Sequence, residues 1–238
     1  MKRLRVVVLG AGGKLGRFAC QLLDEDPAFE VVARARSHDD LAAVLDAARP
    51  DVVFESTVAG LGARHARLAL EHGVRPLVAT SGVTPAESAA LDDLARERGL
   101  GGLYAPNLSR GMWLMQRMVE EAARHVAACE IVEMHHDRKR DAPSGTAADT
   151  ARRVRAVRAE VDPASAGRDV PIHSVRLPGI LAHQEVLFGA PGELLTLRHD
   201  ALSSEAYGPG IRAGLRYVSS AVGFPTGIGL AFLADAAR

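Results

Sequence analysis

A strand, a glycine turn and a helix succeed one another within the first 24 residues, and this run constrains the fold most. Leu4–Leu9 is a short β-branched apolar segment that reads as a buried strand. Gly10-Ala11-Gly12-Gly13-Lys14-Leu15-Gly16 comes next, and Lys14–Asp24 sets Leu15, Phe18, Ala19, Leu22 and Leu23 on one helical face. The alternation then continues. Phe29–Ala33, Val52–Phe54, Pro76–Ala79 and Leu103–Ala105 read as strands, and Asp39–Ala48, Gly62–Glu71 and the run from Thr84 to Arg98 as helices. Asp39 or Asp40 suits the cap of the second helix, Gly73 closes the third, and Thr84-Pro85 opens the fourth.

Strands and helices in this order predict a parallel sheet with helices on both faces, a Rossmann-type doubly wound α/β domain. The second half differs. Gly111–His125 reads as a helix with a core-facing methionine stripe (Met112, Met115, Met118), Ala128–His136 as an alternating strand, and Ser144 to Ala159 as a helix. Ile172–Leu177, Ile180–Phe188 and Glu193–His199 are strand-like runs separated by Pro-Gly turns, which predicts an α+β domain with a mixed or antiparallel sheet. Gly210–Val222 and Gly229–Ala237 read as helices. The expected division is 1–107, with the tail 209–238 returning to it, and 108–208 as a second domain.

Lys+Arg and Asp+Glu both number 29, so no charge excess points to nucleic acid or an anionic membrane. The apolar run after the N-terminus is only six residues long and ends in a glycine turn, unlike a signal peptide, and no stretch approaches the roughly 18 apolar residues of a membrane span. The cytoplasm is the expected location. Cys20 and Cys129, each in an apolar stretch, are expected to be buried free thiols.

The glycine turn follows G-x-x-G-x-x-G spacing. Gly10 suits a tight exit from the strand, Gly12 or Gly13 a close approach of backbone to a pyrophosphate, and Gly16 close helix–strand packing, with the helix N-terminus offering unpaired N–H groups to phosphate. The turn from Gly10 to Gly16, including Ala11, Lys14 and Leu15, is therefore a candidate dinucleotide site. At the end of the second strand Ala33-Arg34-Ala35-Arg36-Ser37 carries no carboxylate for ribose hydroxyls, and Arg36 suits a 2′-phosphate. NADPH is the expected cofactor, with NADH as the alternative.

Residues 130–147 concentrate the remaining chemistry. His135-His136 end a strand, Lys139 lies in a basic loop with Arg138 and Arg140, and Ser144-Gly145-Thr146 open a helix. Backbone N–H groups and two hydroxyls at a helix start make an anion cradle suited to a carboxylate, and the lysine and histidines supply charge and protons. No third ligand stands at metal-site spacing from the histidine pair, so no metal is expected. A capped helix start behind a solvated basic loop would read the same way.

Glu133-x-His135-His136-x-x-Lys139-x-Asp141-Ala142-Pro143-Ser144-Gly145-Thr146-Ala147 resembles the signature of the 4-hydroxy-tetrahydrodipicolinate reductase (dihydrodipicolinate reductase) family. The Gly10–Gly16 turn, Ala79-Thr80-Ser81-Gly82, Ala105-Pro106-Asn107-Leu108-Ser109-Arg110-Gly111, and His173–Arg176 with Glu185–Phe188 resemble further family blocks in order. The resemblance implies that His135 and Lys139 exchange protons with substrate. It implies that His136, Ser144, Gly145 and Thr146 hold a substrate carboxylate, and that the glycine turn, Ala79, Thr80, Ser81, Ala105, Pro106, Asn107 and Leu108 line the cofactor. It also implies hydride transfer from NADPH to a heterocyclic dicarboxylate with loss of its hydroxyl as water, closure between domains, and a homotetramer formed through the second domain's sheet. Three departures stand out. The segment from Ser37 to Pro50 is short, and the tail lacks the usual ending. Ala201–Tyr207 has Glu205 and no arginine where many members carry one. Another small dicarboxylic acid as substrate, or a non-catalytic dinucleotide sensor, are the competing readings.

Overall fold

The computed structural model describes residues 3–165 and 167–237. They form two compact units, the first comprising the chain up to Leu108 together with the segment from Tyr207 onward, and the second Ser109–Ala206.

In the first unit β1 (Leu4–Leu9), β2 (Phe29–Ala35), β3 (Val52–Glu55), β4 (Arg75–Val78) and β5 (Leu103–Tyr104) pair in parallel in the order β2-β1-β3-β4-β5. Helices α1 (Lys14–Asp24), α2 (Leu41–Ala48), α3 (Gly62–Glu71) and α4 (Pro85–Glu97) connect them. Val6, Val7, Val8, Val52 and Phe54 are fully buried, because a parallel strand covered on both faces loses the polar half of its alternation. One face packs Val7, Leu9 and Val53 on Leu41, Leu45 and Ala69, and Leu70, Val78, Leu91 and Tyr104 gather in a separate cluster with Phe224.

Local chemistry sets the boundaries. Asp40, rather than Asp39, caps α2 by accepting from the amides of Ala42 and Ala43. Thr84 and Glu87 form a reciprocal capping box at α4. The C-terminal segment returns to this unit through α7 (Gly208–Ser220) and α8 (Gly229–Ala236), which follow α5 (Arg110–His125) and α6 (Gly145–Val161) of the second unit. Between α7 and α8 the chain runs along β5: Tyr104 N donates to Pro225 O at 3.0 Å and Gly227 N to Tyr104 O at 2.7 Å. A Cβ on Gly214 would sit 2.8 Å from Leu77, so glycine there lets α7 close on β4.

The second unit is a four-stranded sheet in the order β7-β6-β8-β9, built from β6 (Ala128–His135), β7 (Ile172–Arg176), β8 (Ala182–Ala190) and β9 (Glu193–Ala201). β7 runs parallel to β6, while β8 pairs antiparallel with both β6 and β9. Met112, Met115 and Val119 of α5 and Ala147, Ala151 and Val154 of α6 pack on Ile131, Val186 and Phe188. Met118 departs from the expected stripe. It is 51% exposed, because a step of three and then three again carries it off the buried face. Both cysteines are buried free thiols, and burial pushes Cys129 up to about 11. Among the described residues no helix is long and apolar enough to cross a membrane.

A Cβ on Gly16 would fall 2.1 Å from Gly10 O, a backbone atom that cannot swing away. Gly16→Ala is expected to lower unfolding free energy by about 1–3 kcal/mol in urea titrations and to weaken dinucleotide binding; unchanged values of both would contradict this packing.

Candidate active site

The cofactor residues expected from sequence collect at the carboxyl edge of the first unit's sheet. Gly10 follows β1, Arg36 follows β2, Ala79, Thr80 and Ser81 follow β4, and Ala105–Leu108 follow β5. The connection from β1 to β2 leaves to one side of β1 and β3 lies on the other, so the glycine turn sits at the switch point where such sheets leave a crevice. Gly10 has a φ of 91°, and its absent Cβ would meet Ser56 O at 2.5 Å. A Cβ on Gly12 would meet nothing within 4 Å among the described residues, so the backbone there is open to a ligand. No side chain caps α1, its first turn carries no acid, and Lys14 and Arg17 bring positive charge to it. An open glycine cradle before an uncapped helix fits a pyrophosphate.

Two residues at this edge escaped the sequence reading. The Asp39 carboxylate turns back to accept from Arg36 N at 2.7 Å, so the end of β2 does carry an acid, contributed by the following loop. Glu55 ends β3 fully buried and accepts from Thr57 N at 3.1 Å, from Thr57 Oγ1 and from His65 Nδ1 at 3.2 Å. Burial pushes its carboxyl up, but His65 and Thr57 outweigh this and hold it below the ordinary carboxylate range. A carboxylate closing an otherwise apolar Val-Val-Phe-Glu strand was the available signal.

In the second unit the residues of the 133–146 segment meet around Glu133. This carboxylate is 0% exposed. His135 Nδ1 lies 2.5 Å from its Oε2, two residues along the same face of β6. Arg176, paired in register with His135 across the parallel β6–β7 ladder, donates to Oε2 at 3.0 Å and to Oε1 at 2.8 Å. Ser144 N, at the start of α6, donates to Oε1 at 3.3 Å. Arg176 also donates to Asp141 O at 2.7 Å, so one guanidinium ties the strand to the loop that carries Lys139. Burial raises the Glu133 carboxyl, yet Arg176, Ser174 and His135 pull it below its usual 4.5. Burial lowers His135, and Lys139 and Arg176 add to that; the opposing pull of Glu133 is smaller, so the imidazole titrates below 6.5.

The strand stops at His135, one residue short of the sequence expectation, because the chain turns there and Lys139 N donates to His136 O at 3.1 Å. His136 Nδ1 is buried and has no hydrogen-bond partner among the described residues. Lys139 Nζ donates to both carboxylate oxygens of Asp141, at 2.8 and 2.7 Å, so it enters the site already paired. Ser144 Oγ accepts from Ala147 N at 3.2 Å and caps α6, leaving Gly145 as the open element of the turn. Among the described residues no group of three or more His, Cys, Asp or Glu is placed to hold a metal ion.

An open glycine cradle before an uncapped helix at the edge of a parallel sheet is the architecture of a nicotinamide-dependent oxidoreductase, the class to which this chain belongs. The family is narrower. The N-terminal model of dihydrodipicolinate reductase matches residues 4–108 and the C-terminal model residues 111–226, and the chain belongs to that family. It is 40% identical to the 4-hydroxy-tetrahydrodipicolinate reductase of Symbiobacterium thermophilum, over 92% of this chain and 93% of the relative. With the enzyme of the same name from Halalkalibacterium halodurans it shares 39%, covering 90% and 94%. The solved structure of dipicolinate-bound dihydrodipicolinate reductase from Paenisporosarcina sp. TG-14 superposes with a TM-score of 0.79 at 30% identity, covering 95% of this chain and 98% of that one.

Replacing Arg176 with Met leaves a buried carboxylate without its cation, and a loss of about 3 kcal/mol in unfolding free energy is expected near neutral pH. Glu133 titrates below 4.5 in the folded protein, so the pair stabilises above that value and its contribution is lost as pH falls through the lowered one. In the variant the carboxyl titrates higher and takes up its proton earlier. The stability gap should therefore narrow on acidification from about pH 7 to about pH 4; a constant gap would contradict the ion pair.

Proposed function

We propose that this chain reduces 4-hydroxy-tetrahydrodipicolinate to tetrahydrodipicolinate with a reduced nicotinamide dinucleotide, in the route to diaminopimelate and lysine. The observation that carries the reading is the gathering of Arg176, His135 and the Ser144 helix start around the buried Glu133 carboxylate, with Lys139 in the loop between His135 and Ser144. The names of the relatives and the dipicolinate in the Paenisporosarcina structure support the substrate class.

In this reading one substrate carboxylate rests on the Gly145–Thr146 turn, with the Ser144 hydroxyl and His136 beside it. A dianionic ligand competes with Asp141 for the Lys139 ammonium, which then stands next to the departing hydroxyl. The bound cofactor supplies hydride to the ring. The hydroxyl leaves as water with a proton drawn from the Lys139 and His135 pair, so one hydride and one proton are consumed for each water released. The Gly10–Gly16 turn, Ala79–Ser81 and Ala105–Leu108 hold the cofactor. Residues 1–107 with the tail 209–238 serve as the dinucleotide domain, and 108–208 bind substrate and mediate assembly.

NADPH is the proposed preferred donor, with exposed Arg36 meeting the 2′-phosphate; the Asp39 carboxylate beside it is what gives NADH a competing claim. A homotetramer working in the cytoplasm is proposed as well. The edge strand β9 supports assembly, since Leu194 and Leu195 are 67% and 43% exposed on a nine-residue edge. The stretch Ala201–Tyr207, in which the family resemblance leads one to expect an arginine and which instead holds Glu205, favours a second reading in which another small dicarboxylic acid is reduced.

The test is a coupled assay in which the unstable substrate is made in place by its synthase while oxidation of NADPH and NADH is followed separately. Oxidation of both, faster with NADPH, is expected, and Arg36→Ala should lower that ratio. Lys139→Ala and His135→Ala should each cut kcat on the order of 10²–10⁴-fold while NADPH still binds. No oxidation of either dinucleotide by the wild type would reject the substrate assignment, and full turnover in both variants would reject the residue roles.

A further inference from the structure

Glu133 contributes no group to the reacting ring in the scheme above, yet it has the most demanding surroundings in the second unit. An ionised carboxylate only accepts hydrogen bonds. Here it accepts from two nitrogens of Arg176, from Ser144 N and from His135 Nδ1. The bidentate guanidinium keeps it ionised despite complete burial. Nδ1 of His135 must then carry a hydrogen whenever the ring is neutral, which leaves Nε2 with the lone pair.

We propose that Glu133 and Arg176 are positioning residues that lock His135 as its Nδ1–H tautomer, so that proton exchange with the substrate runs through Nε2 alone. This rests on the assignment of His135 to proton exchange made above. When the ring accepts a proton it does so at Nε2, giving an imidazolium whose Nδ1–H stays on Glu133. When it releases one, the same N–H bond breaks and the neutral tautomer returns with its orientation unchanged. Arg176 has a further positioning task, because the same guanidinium holds Asp141 O and thereby fixes the loop in which Lys139 stands. One buried ion pair thus sets the direction of the imidazole and the place of the ammonium together.

The sequence spacing serves this arrangement. Glu133 and His135 are two apart on a strand, so they share a face, and the parallel β7 brings Arg176 level with His135. Gln at position 133 keeps the size but supplies an NH₂ group. With Arg176 still donating to its carbonyl oxygen, that NH₂ faces Nδ1 and favours the Nε2–H tautomer, the wrong one for exchange at Nε2.

The experiment combines nitrogen-15 NMR of the histidine rings with steady-state kinetics on the full-length chain. His135→Gln identifies the His135 resonances. In the wild type, at a pH where the ring is neutral, Nδ1 of His135 is expected to show the protonated shift and Nε2 the unprotonated one. This reading needs no variant, so it stands even if Glu133→Gln folds poorly, and an Nε2–H tautomer in the wild type would overturn the proposal outright. In Glu133→Gln the two shifts should exchange, with kcat falling on the order of 10²–10⁴-fold while NADPH binding and KM change little. Glu133→Asp, which keeps the carboxylate, should recover part of the loss. An exchanged tautomer with undiminished kcat in Glu133→Gln, while His135→Gln is inactive, would overturn the positioning role and leave the catalytic role of His135 standing. Full turnover in His135→Gln would instead remove the catalytic role itself, and the present inference with it.

Discussion

A carboxylate removed completely from solvent needs compensating donors on every side, and meeting that demand at Glu133 organises the second unit around it. Arg176 comes from the neighbouring strand, Ser144 from a helix start and His135 from two residues further on, so strand, helix start and neighbouring strand converge on one pair of oxygens. A buried ion pair of this kind adds little stability over a well-packed apolar alternative. Its value lies in specifying one arrangement: strand, loop and helix cannot shift separately without stranding a charge.

The first unit presents a different device. Backbone can approach a pyrophosphate only where side chains are missing, and the glycine turn leaves such a place. Gly10 turns the chain at positive φ against Ser56, and Gly16 brings α1 against the turn so closely that a single methyl group would collide. The helix start is left uncapped by any side chain, as are those of α3, α7 and α8, whereas α2, α4, α5 and α6 are capped by Asp40, Thr84, Ser109 and Ser144. What sets α1 apart is the glycine turn that precedes it at the sheet's carboxyl edge.

Much of this was legible in the sequence because local chemistry decides it. The β-branched runs, the glycine spacing and the Thr84-Pro85 and Ser144 helix starts each act over a few residues, and the strands and helices fall within one or two residues of where those signals put them. What depended on partners far along the chain was not legible. Glu133 reads as an ordinary polar position of an alternating strand until β7 brings the Arg176 guanidinium onto its carboxylate, from 43 residues later. Asp39 reads as a helix cap until the loop folds it onto Arg36, and Asp40 takes the cap. Met118 shares its side-chain type with Met112 and Met115 but not their helical face. The pairing of Lys139 with Asp141 joins residues two apart, yet spacing alone did not tell whether the ammonium would face a neighbour or a ligand.

The central claim is that the opening turn of α6 receives a carboxylate of a flat dicarboxylic ring while the His135 imidazole and Lys139 ammonium stand beside it. Crystals grown with a pyridine dicarboxylate and the oxidised dinucleotide measure this directly. The account predicts a carboxylate oxygen within about 3 Å of the Gly145–Thr146 backbone amides, with Lys139 Nζ drawn from Asp141 toward the ligand. A dicarboxylate bound elsewhere, with Lys139 still on Asp141 and the turn untouched, would contradict it.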